Sequence, residues 1–270
     1  MIEPQAWGVK EETVSLGEAL DLSALAAKRE DIAAAQAKNA AAHARARRFL
    51  SGVSELRADR EALATRALDT VKTAAVAARL AKTELSAPAR PGAFTGVQRR
   101  FLSAVTPRGV LSYPETVSLL CPRVIALDDP FFVAAKTVLR ALFAAAKTRD
   151  LPAIFCPDPL CPTDPAHLLL PSLGVAFVTA DNRFKIQNPA RTLHLKRCYD
   201  EAALKANKNR TAFDKKAEHA LLSTAVEALR DAKIAHDLLE IPYKSAMNFK
   251  KVEAVKTALY QRISAFSPRV

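Results

Sequence analysis

A lysine followed by a threonine, Lys136 and Thr137, is our candidate for contact with a phosphate group. The pair follows the apolar stretch VIAL (124–127) and lies at the start of a segment with helical periodicity. Because a helix N-terminus attracts anions, the Lys136 ammonium could contact a phosphate there, and the Thr137 hydroxyl could ligate Mg²⁺. The alternative interpretation is that Lys136 is a solvated helix residue and Thr137 a hydroxyl at a helix start.

The other residue types that could act in catalysis or bind a metal form no recognisable site. Cys156 and Cys161 are five positions apart, and no second pair has the spacing of zinc ligands. Four cysteines are too few for a disulfide framework in 270 residues, so we interpret them as reduced thiols. The histidines are scattered, no pair of acidic residues stands out, and no serine-hydrolase, HExxH or GxGxxG motif is present. We therefore predict no catalytic residue and no metal site.

Four short apolar segments predict strands in the middle of the chain: RVIAL (123–127), PAIF (152–155), HLLL (167–170) and GVAFVT (174–179). Such runs are typical of strands that are buried on both faces, as in a parallel sheet. A helical pattern separates the first two, with a buried face formed by Val138, Leu139, Leu142 and Phe143. The order strand, helix, strand predicts a βαβ unit and therefore an α/β core.

Long helical stretches flank this core. Residues 22–85 are rich in strong helix formers and follow Asp21, a good N-cap, which predicts a helical hairpin or arm. We expect Gly52 to break or bend that arm. The helical pattern returns after Pro189, and Pro242 is expected to end its long helix before a last helix in NFKKVEAVKTALYQRISAF (248–266).

The two helical parts share an internal repeat. VSLGEALDLSAL (14–25) aligns with LHLKRCYDEAAL (193–204), and the same offset of 179 residues aligns ALD (67–69) with AMN (246–248). Each copy has an apolar–Asp–apolar start, a long helix and a shorter helix. This match favours an internal duplication over chance.

The charge balance is strongly basic, with 40 Lys and Arg against 28 Asp and Glu and a formal net charge of +12. The clusters HARARRF (43–49), QRRF (98–101) and KANKNR (205–210) could contact the phosphates of a nucleic acid. The alternative is a solvated helix surface that keeps an alanine-rich protein soluble. No apolar run is long enough for a membrane span and the N-terminus lacks the pattern of a signal peptide, so we expect a cytoplasmic protein without membrane contact.

Several segments resemble a family of poorly characterised bacterial proteins with two tandem P-loop ATPase-like cores, each followed by a helical arm. FLSAVTPRGVLSY (101–113) resembles the start of the second core in that family. CPDPLCPTDPAHLLLPSLGVAFVTADN (156–182) is similar to its Cys-Pro-x-Asp-Pro segment and the strands after it, and SAMNF (245–249) resembles an element near the end of each arm. IEPQAWGVKEETVSLGEAL (2–20) resembles the segment after the first core.

The resemblance implies that the nucleotide loop of the family corresponds to residues 124–139. The pattern GxxxxGK[ST] requires glycines where this chain has Pro130 and Ala135, and only Lys136 and Thr137 remain of it. A phosphate cradle needs inward-facing N–H groups, which Pro130 cannot supply. Efficient ATP hydrolysis is therefore not expected.

Neighbouring residues also argue against efficient ATP hydrolysis. Phe131 and Phe132 add bulk where the loop should enclose a nucleotide, while Asp128 and Asp129 add negative charge close to the expected triphosphate. A carboxylate directly after the buried strand GVAFV would organise magnesium, but Asp181 comes one position late.

We thus predict an α/β protein that is helix-rich overall, with a P-loop NTPase-like core and a mainly parallel sheet. The predicted domains are a helical arm over 1–95, the core over 96–190 and a second arm over 191–270. The predicted function is an ATPase-like protein with a degenerate nucleotide site, with Lys136 and Thr137 as candidate ligands of ATP and Mg²⁺. The alternative is a non-catalytic helical scaffold that binds a protein partner or a nucleic acid.

Overall fold

The computed structural model describes residues 13–86, 95–180 and 184–266. The helices in these ranges are α1 (Leu22–Ala26), α2 (Arg29–Arg66), α3 (Thr70–Glu84), α4 (Pro114–Leu120), α5 (Val133–Thr148), α6 (Glu201–Ala206), α7 (Lys208–Ala246) and α8 (Phe249–Phe266). The strands are β1 (Val97–Arg99), β2 (Ser103–Thr106), β3 (Gly109–Ser112), β4 (Arg123–Asp128), β5 (Ala153–Pro157), β6 (Pro165–Leu170), β7 (Val175–Ala180) and β8 (Arg191–His194). Short 3₁₀ helices span Gly17–Ala19, Pro171–Leu173 and Leu195–Cys198.

The chain divides into two compact units. The sheet unit comprises residues 43–230 and includes every strand named above, and the paired-arm unit comprises residues 1–42 and 231–270. Helices α2 and α7 each contribute to both units, and the sheet unit includes residues from all three predicted domains. Among the described helices, none combines the length and the apolar character that a membrane crossing requires.

The main sheet has six strands in the order β1-β5-β6-β7-β4-β8. Strand β4 is parallel to β7 and β8, and β1 is parallel to β5, so the predicted α/β architecture is confirmed at this level. The sheet is mixed, because β6 is antiparallel to both β5 and β7. The connections of β6 to its neighbours are short loops, and a short loop reverses the chain whereas a parallel connection needs a crossover.

Helix α5 packs on one face of the sheet, as its apolar periodicity predicts. Val138, Leu139 and Leu142 are fully buried in a core cluster that includes Ile125 and Phe177 of the sheet. The same cluster continues into α3, whose buried residues are Thr73, Val76, Ala77 and Leu80. Helix α5 is therefore enclosed between the sheet and α3.

Helices α2 and α7 continue through two residues where the sequence predicts an interruption, so the break at Gly52 and the helix end at Pro242 are wrong. Helix α2 passes through Gly52 without interruption, and a Cβ atom at this position would lie 3.0 Å from Leu221 Cδ1. The glycine therefore serves close packing against α7 within the sheet unit and does not end the helix. Helix α7 likewise continues through Pro242 to Ala246, because the loss of one N–H donor is tolerated near the end of a long helix.

A pair of short backbone contacts connects the end of one helical arm to the start of the other in the sheet unit. Leu68 forms an isolated antiparallel bridge with Tyr199. The Asp69 N–H donates to the Cys198 carbonyl at 2.7 Å, and the Asp200 N–H donates to the Ala67 carbonyl at 2.7 Å. We call this contact, made by residues 67–69 and 198–200, the Tyr199 junction.

The paired-arm unit contains the same arrangement. Leu20 bridges Met247, the Asp21 N–H donates to the Ala246 carbonyl at 2.8 Å, and the Asn248 N–H donates to the Ala19 carbonyl at 2.8 Å. We call this contact, made by residues 19–21 and 246–248, the Met247 junction. Every residue of one junction is 179 positions from its counterpart in the other, the offset found in the sequence.

The helix starts next to the junctions repeat as well. The Asp21 carboxylate caps α1 by accepting from the Ser23 and Ala24 N–H groups, and Asp200 caps α6 in the same way, 179 positions later. Asp69 caps α3 and Asn248 accepts from the Lys251 N–H at the start of α8. The two long helices α2 and α7 begin at the same offset.

Candidate functional site

The turn between β4 and α5 holds the residues that the sequence singles out. It spans Asp129 to Phe132, and Phe132 precedes α5 with a left-handed backbone conformation at φ +63°. A bulky residue rarely adopts this conformation, which favours glycine. The Lys136 N–H donates to the Phe132 carbonyl at 2.9 Å, so the helix starts directly after this strained residue.

The carboxylate of Asp129 lies on the N-terminus of α5. Its Oδ1 accepts from the Phe131 N–H at 3.0 Å, and its Oδ2 accepts from the Ala135 N–H at 2.9 Å. The side chain is buried, with 2% of the residue exposed. Backbone N–H groups at a helix start are the donors that would hold a phosphate, and here they hold an anion that belongs to the protein.

Tyr199 completes this arrangement from the Tyr199 junction. Its hydroxyl donates to the Asp129 carboxylate, with oxygen distances of 2.9 and 3.0 Å, and accepts from the Ala134 N–H at 2.8 Å. Burial and the neighbouring charge of Asp129 raise the pKa of Tyr199, so the hydroxyl keeps the proton that it donates. The N–H groups of Ala134 and Ala135, which a phosphate at this helix start would need, are thus both occupied.

The Lys136 ammonium is held by two carboxylates. Its Nζ lies 2.6 Å from Glu61 Oε1 on α2 and 2.6 Å from Asp164 Oδ2, and Arg140 also pairs with Asp164. Burial alone would lower the pKa of Lys136, but the hydrogen bonds to Asp164 and Glu61 raise it above its ordinary value. Lys136 is 9% exposed, so the interpretation of this lysine as a solvated helix residue is wrong.

The pKa of Asp164, the acidic partner of Lys136, is shifted by the same ion pair. Burial would raise the pKa of Asp164, but the hydrogen bond and charge of Lys136 and the charge of Arg140 lower it below its ordinary value. Asp164 and Lys136 are consequently both charged at neutral pH and hold each other in place.

The Thr137 hydroxyl forms a hydrogen bond within α5. The Oγ1 donates to the Val133 carbonyl at 2.8 Å, and the residue is exposed on the surface of α5. The hydroxyl at the end of the neighbouring strand is also engaged, since Thr179 donates to the Ala166 carbonyl at 2.8 Å. Asp181, the carboxylate considered for magnesium, lies outside the described residues.

An open cleft of about 600 Å³ lies beside the turn, at the carboxyl ends of β4 and β7. Ligands of open α/β sheets bind at such ends. Here the lining includes Asp128, Asp129 and Glu218 together with Arg60 and Lys215. Arg60 is paired with Glu218 at 2.5 Å, and Asp128 contacts His194 at 2.6 Å. A triphosphate in this cleft would meet the carboxylates of Asp128, Asp129 and Glu218, which would repel it in the absence of a metal ion.

A second, smaller cavity of about 60 Å³ is lined by His167, Thr179 and Lys136. The His167 ring stacks against Phe184 with centroids 4.2 Å apart, and burial lowers its pKa to about 3. Its Nδ1 has no hydrogen-bond partner among the described residues. Within the described part of the chain, no three His, Cys, Asp or Glu side chains form a group that could hold a metal ion.

The sequence identifies Lys136 and Thr137 but not the residues that engage them. It indicates Asp129 as a charge close to the loop and gives no sign that this carboxylate lies on the helix N-terminus. Tyr199, Glu61 and Asp164 come from distant parts of the chain, and no local spacing relates them to the turn.

Comparisons of this chain with protein-family models, with curated proteins and with solved structures give no match. The resemblance to tandem ATPase-like proteins stays a prediction, and any function proposed for the chain depends on the geometry of the molecule.

Proposed function

We propose that this chain is a protein-binding scaffold that keeps the framework of an ATPase-like core and neither binds nor hydrolyses ATP. The observation that carries the proposal is the Asp129 carboxylate on the N–H groups at the start of α5. An enzyme that binds phosphate would leave those donors to its ligand.

The electrostatics of the turn support the proposal. A triphosphate at the start of α5 would have to displace a buried carboxylate of the same charge sign and break its hydrogen bonds to Tyr199 and Ala135. It would also have to draw Lys136 away from Glu61 and Asp164, and breaking a buried ion pair costs about 3–5 kcal/mol. Neither Pro130 nor the bulky Phe132 offers compensation.

A thermal-shift titration with Mg²⁺–ATP tests this proposal. Saturating ligand stabilises a protein in proportion to RT ln(1 + [L]/Kd), so even a Kd of about 0.1 mM would be visible at about 10 mM nucleotide. We expect no rise in the melting temperature of the wild-type chain. Lys136→Ala should melt at a lower temperature because Glu61 and Asp164 lose the ammonium that they share, although Asp164 keeps Arg140. This variant should likewise show no response to nucleotide.

The opposite pattern would refute the proposal. A nucleotide-dependent rise in the wild-type chain that disappears in Lys136→Ala would mean that the lysine binds phosphate. Lys215→Ala is the matched control, because this lysine lines the adjacent cleft but lies outside the turn.

A second candidate function, binding of a nucleic acid, is favoured by the distribution of charge. Residues 43–230 contain 29 Lys and Arg against 17 Asp and Glu, whereas residues 1–42 and 231–270 together contain 11 of each. The entire net charge of +12 therefore belongs to the sheet unit. A polyanion would be attracted to this unit by release of counterions.

Fluorescence anisotropy with labelled single- and double-stranded oligonucleotides tests this candidate at two salt concentrations. Binding should weaken steeply with salt, and charge reversal at the exposed residues Arg47 and Arg48 should weaken it further. The same reversal at Lys250 and Lys251, in the neutral unit, should have no effect. Absence of binding at low salt would exclude this function and leave protein binding.

A further inference from the structure

Helix α8 is amphipathic, yet none of its described side chains is buried. Its apolar residues lie on one face at helical spacing: Val252, Val255, Leu259 and Ile263, flanked by Phe249 and Tyr260. We call this set the α8 stripe. Ile263, Phe249 and Tyr260 are 59%, 63% and 71% exposed, and the other three are half-buried. A helix with one apolar face normally buries that face against another element.

The repeat shows which element covers the equivalent face elsewhere in the molecule. At the offset of 179 residues, Val255 corresponds to Val76 and Leu259 to Leu80 of α3. Val76 and Leu80 are 6% and 1% exposed, and they share a core cluster with Val138, Leu139 and Leu142 of α5. The face of α3 that matches the α8 stripe is therefore covered by a helix of an α/β sheet.

Helices α3 and α8 follow junctions with the same backbone contacts, so their surroundings can be compared position by position. Helix α3 follows the Tyr199 junction and contacts the 3₁₀ helix Leu195–Cys198. Helix α8 follows the Met247 junction and contacts the 3₁₀ helix Gly17–Ala19, with the same hydrogen bonds at the junction. The two helices are consequently presented in the same way, but among the described residues only α3 buries this face fully, against α5.

We infer that the α8 stripe binds a helix of an α/β domain in a partner protein, in the way that α3 binds α5. This inference deepens the proposed scaffold function and rests on it. The partner helix should present small and branched apolar residues, as α5 does with Ala135, Val138 and Leu142. It should carry acidic residues at its flanks, because α8 has four basic residues and one acidic residue. A second copy of α8 is disfavoured as the occupant by the same basic charge.

Site-specific photocrosslinking in the cells that express the chain tests the inference. A photoreactive phenylalanine is placed at Leu259 on the stripe and, as the control, at Thr257 on the opposite exposed face. The expected product is a crosslink at position 259, absent at 257, whose peptide lies in a helix of an α/β domain of another protein. A crosslink to this chain, to a second copy, to a nucleic acid or to a lipid, or no crosslink, would overturn the inference.

The identified domain is then titrated against purified variants. Val255→Glu with Leu259→Glu should weaken binding by about 100-fold or more, while Thr257→Glu should leave it unchanged. Equal melting temperatures of the two variants would show that α8 still folds, and unchanged affinity of the stripe variant would overturn the inference. The response to Mg²⁺–ATP is independent of these results, so the scaffold proposal and this inference can fail separately.

Discussion

The Tyr199 junction and the Met247 junction have the same backbone and different surroundings. Both join an Ala-x-Asp or Ala-x-Asn segment to the start of a helical arm through two hydrogen bonds of 2.7 or 2.8 Å. At the Tyr199 junction, the following helix α3 buries its apolar face against α5. At the Met247 junction, no described side chain on the apolar face of α8 is buried: three are exposed and three are half-buried. The local sequence therefore determines the backbone contact at each junction. It does not determine which element packs against the helix that follows.

The comparison also concerns the turn between β4 and α5. Tyr199 has Leu20 as its counterpart at the Met247 junction, and leucine has no hydroxyl. The hydroxyl of Tyr199 connects its junction to Asp129 and to the Ala134 N–H at the start of α5. The Tyr199 junction thus contributes a side-chain hydroxyl to the turn between β4 and α5, and the leucine at the equivalent position of the Met247 junction has no hydroxyl to contribute.

The largest effect is expected from matched truncations of the two helices. Leu80→Ala should reduce the free energy of unfolding by about 3 kcal/mol, because a buried leucine leaves a cavity. Leu259→Ala, the counterpart on α8, should cost less than about 1 kcal/mol since its side chain is already partly exposed. Urea denaturation of both variants measures the difference. Equal losses would mean that α8 is covered and the comparison is wrong.

Removal of the Tyr199 hydroxyl should have the next largest effect. Tyr199→Phe leaves the Ala134 N–H without its acceptor and the buried Asp129 carboxylate without one of its donors. The free energy of unfolding should fall by about 2 kcal/mol. The control is Tyr260→Phe on the exposed face of α8, where no change in the denaturation midpoint is expected. A neutral Tyr199→Phe would contradict the assigned hydrogen bonds.

Acidification should weaken the sheet unit through His167. Its pKa is about 3 in the folded protein and about 6.5 in the unfolded chain, so the unfolded state binds more protons between these values. Above pH 6.5 the imidazole is neutral in both states and has no effect; as the pH falls towards 3, protonation of the unfolded state alone lowers the free energy of unfolding by at most about 1.4 kcal/mol per pH unit. His167→Leu should flatten the stability curve between pH 6.5 and 4.

His219→Leu, at a histidine that lines the open cleft, is the control for this experiment. It should retain the slope of the wild-type chain. A wild-type curve that is flat over this range would show that His167 is accessible to protons in the folded state.

The smallest effects are expected at the helix caps, where the two copies should agree. Asp21→Ala and Asp200→Ala each remove a carboxylate that accepts from two backbone N–H groups, and each should cost about 1 kcal/mol. Hydrogen exchange of the capped amides at 23 and 24 and at 202 and 203 measures the local loss. A cap effect at only one site would weaken the equivalence of the two copies.

The sequence predicted the features that depend on local pattern. The four apolar runs became β4, β5, β6 and β7, Asp21 is an N-cap, and the 179-residue offset relates both junctions. The helix break at Gly52 does not occur because the glycine serves close packing against α7, and the helix end at Pro242 does not occur because the proline lies near the end of a long helix.

The candidate site was predictable only in part, for a different reason. Lys136 and Thr137 stand next to each other and match a known pattern, whereas their partners are determined by the fold. Glu61 is 75 residues from Lys136, and Tyr199 is 70 residues from Asp129. No spacing rule connects such residues, so the closure of the turn becomes visible only when the chain is folded.

The most direct test of the closed turn is a crystal structure of the chain grown with millimolar Mg²⁺–ATP. We predict that the Asp129 carboxylate will still accept from the Phe131 and Ala135 N–H groups and that Lys136 will still contact Glu61 and Asp164. A triphosphate bound to the Ala135 N–H, with Asp129 turned away and Lys136 on the phosphate, would contradict the account.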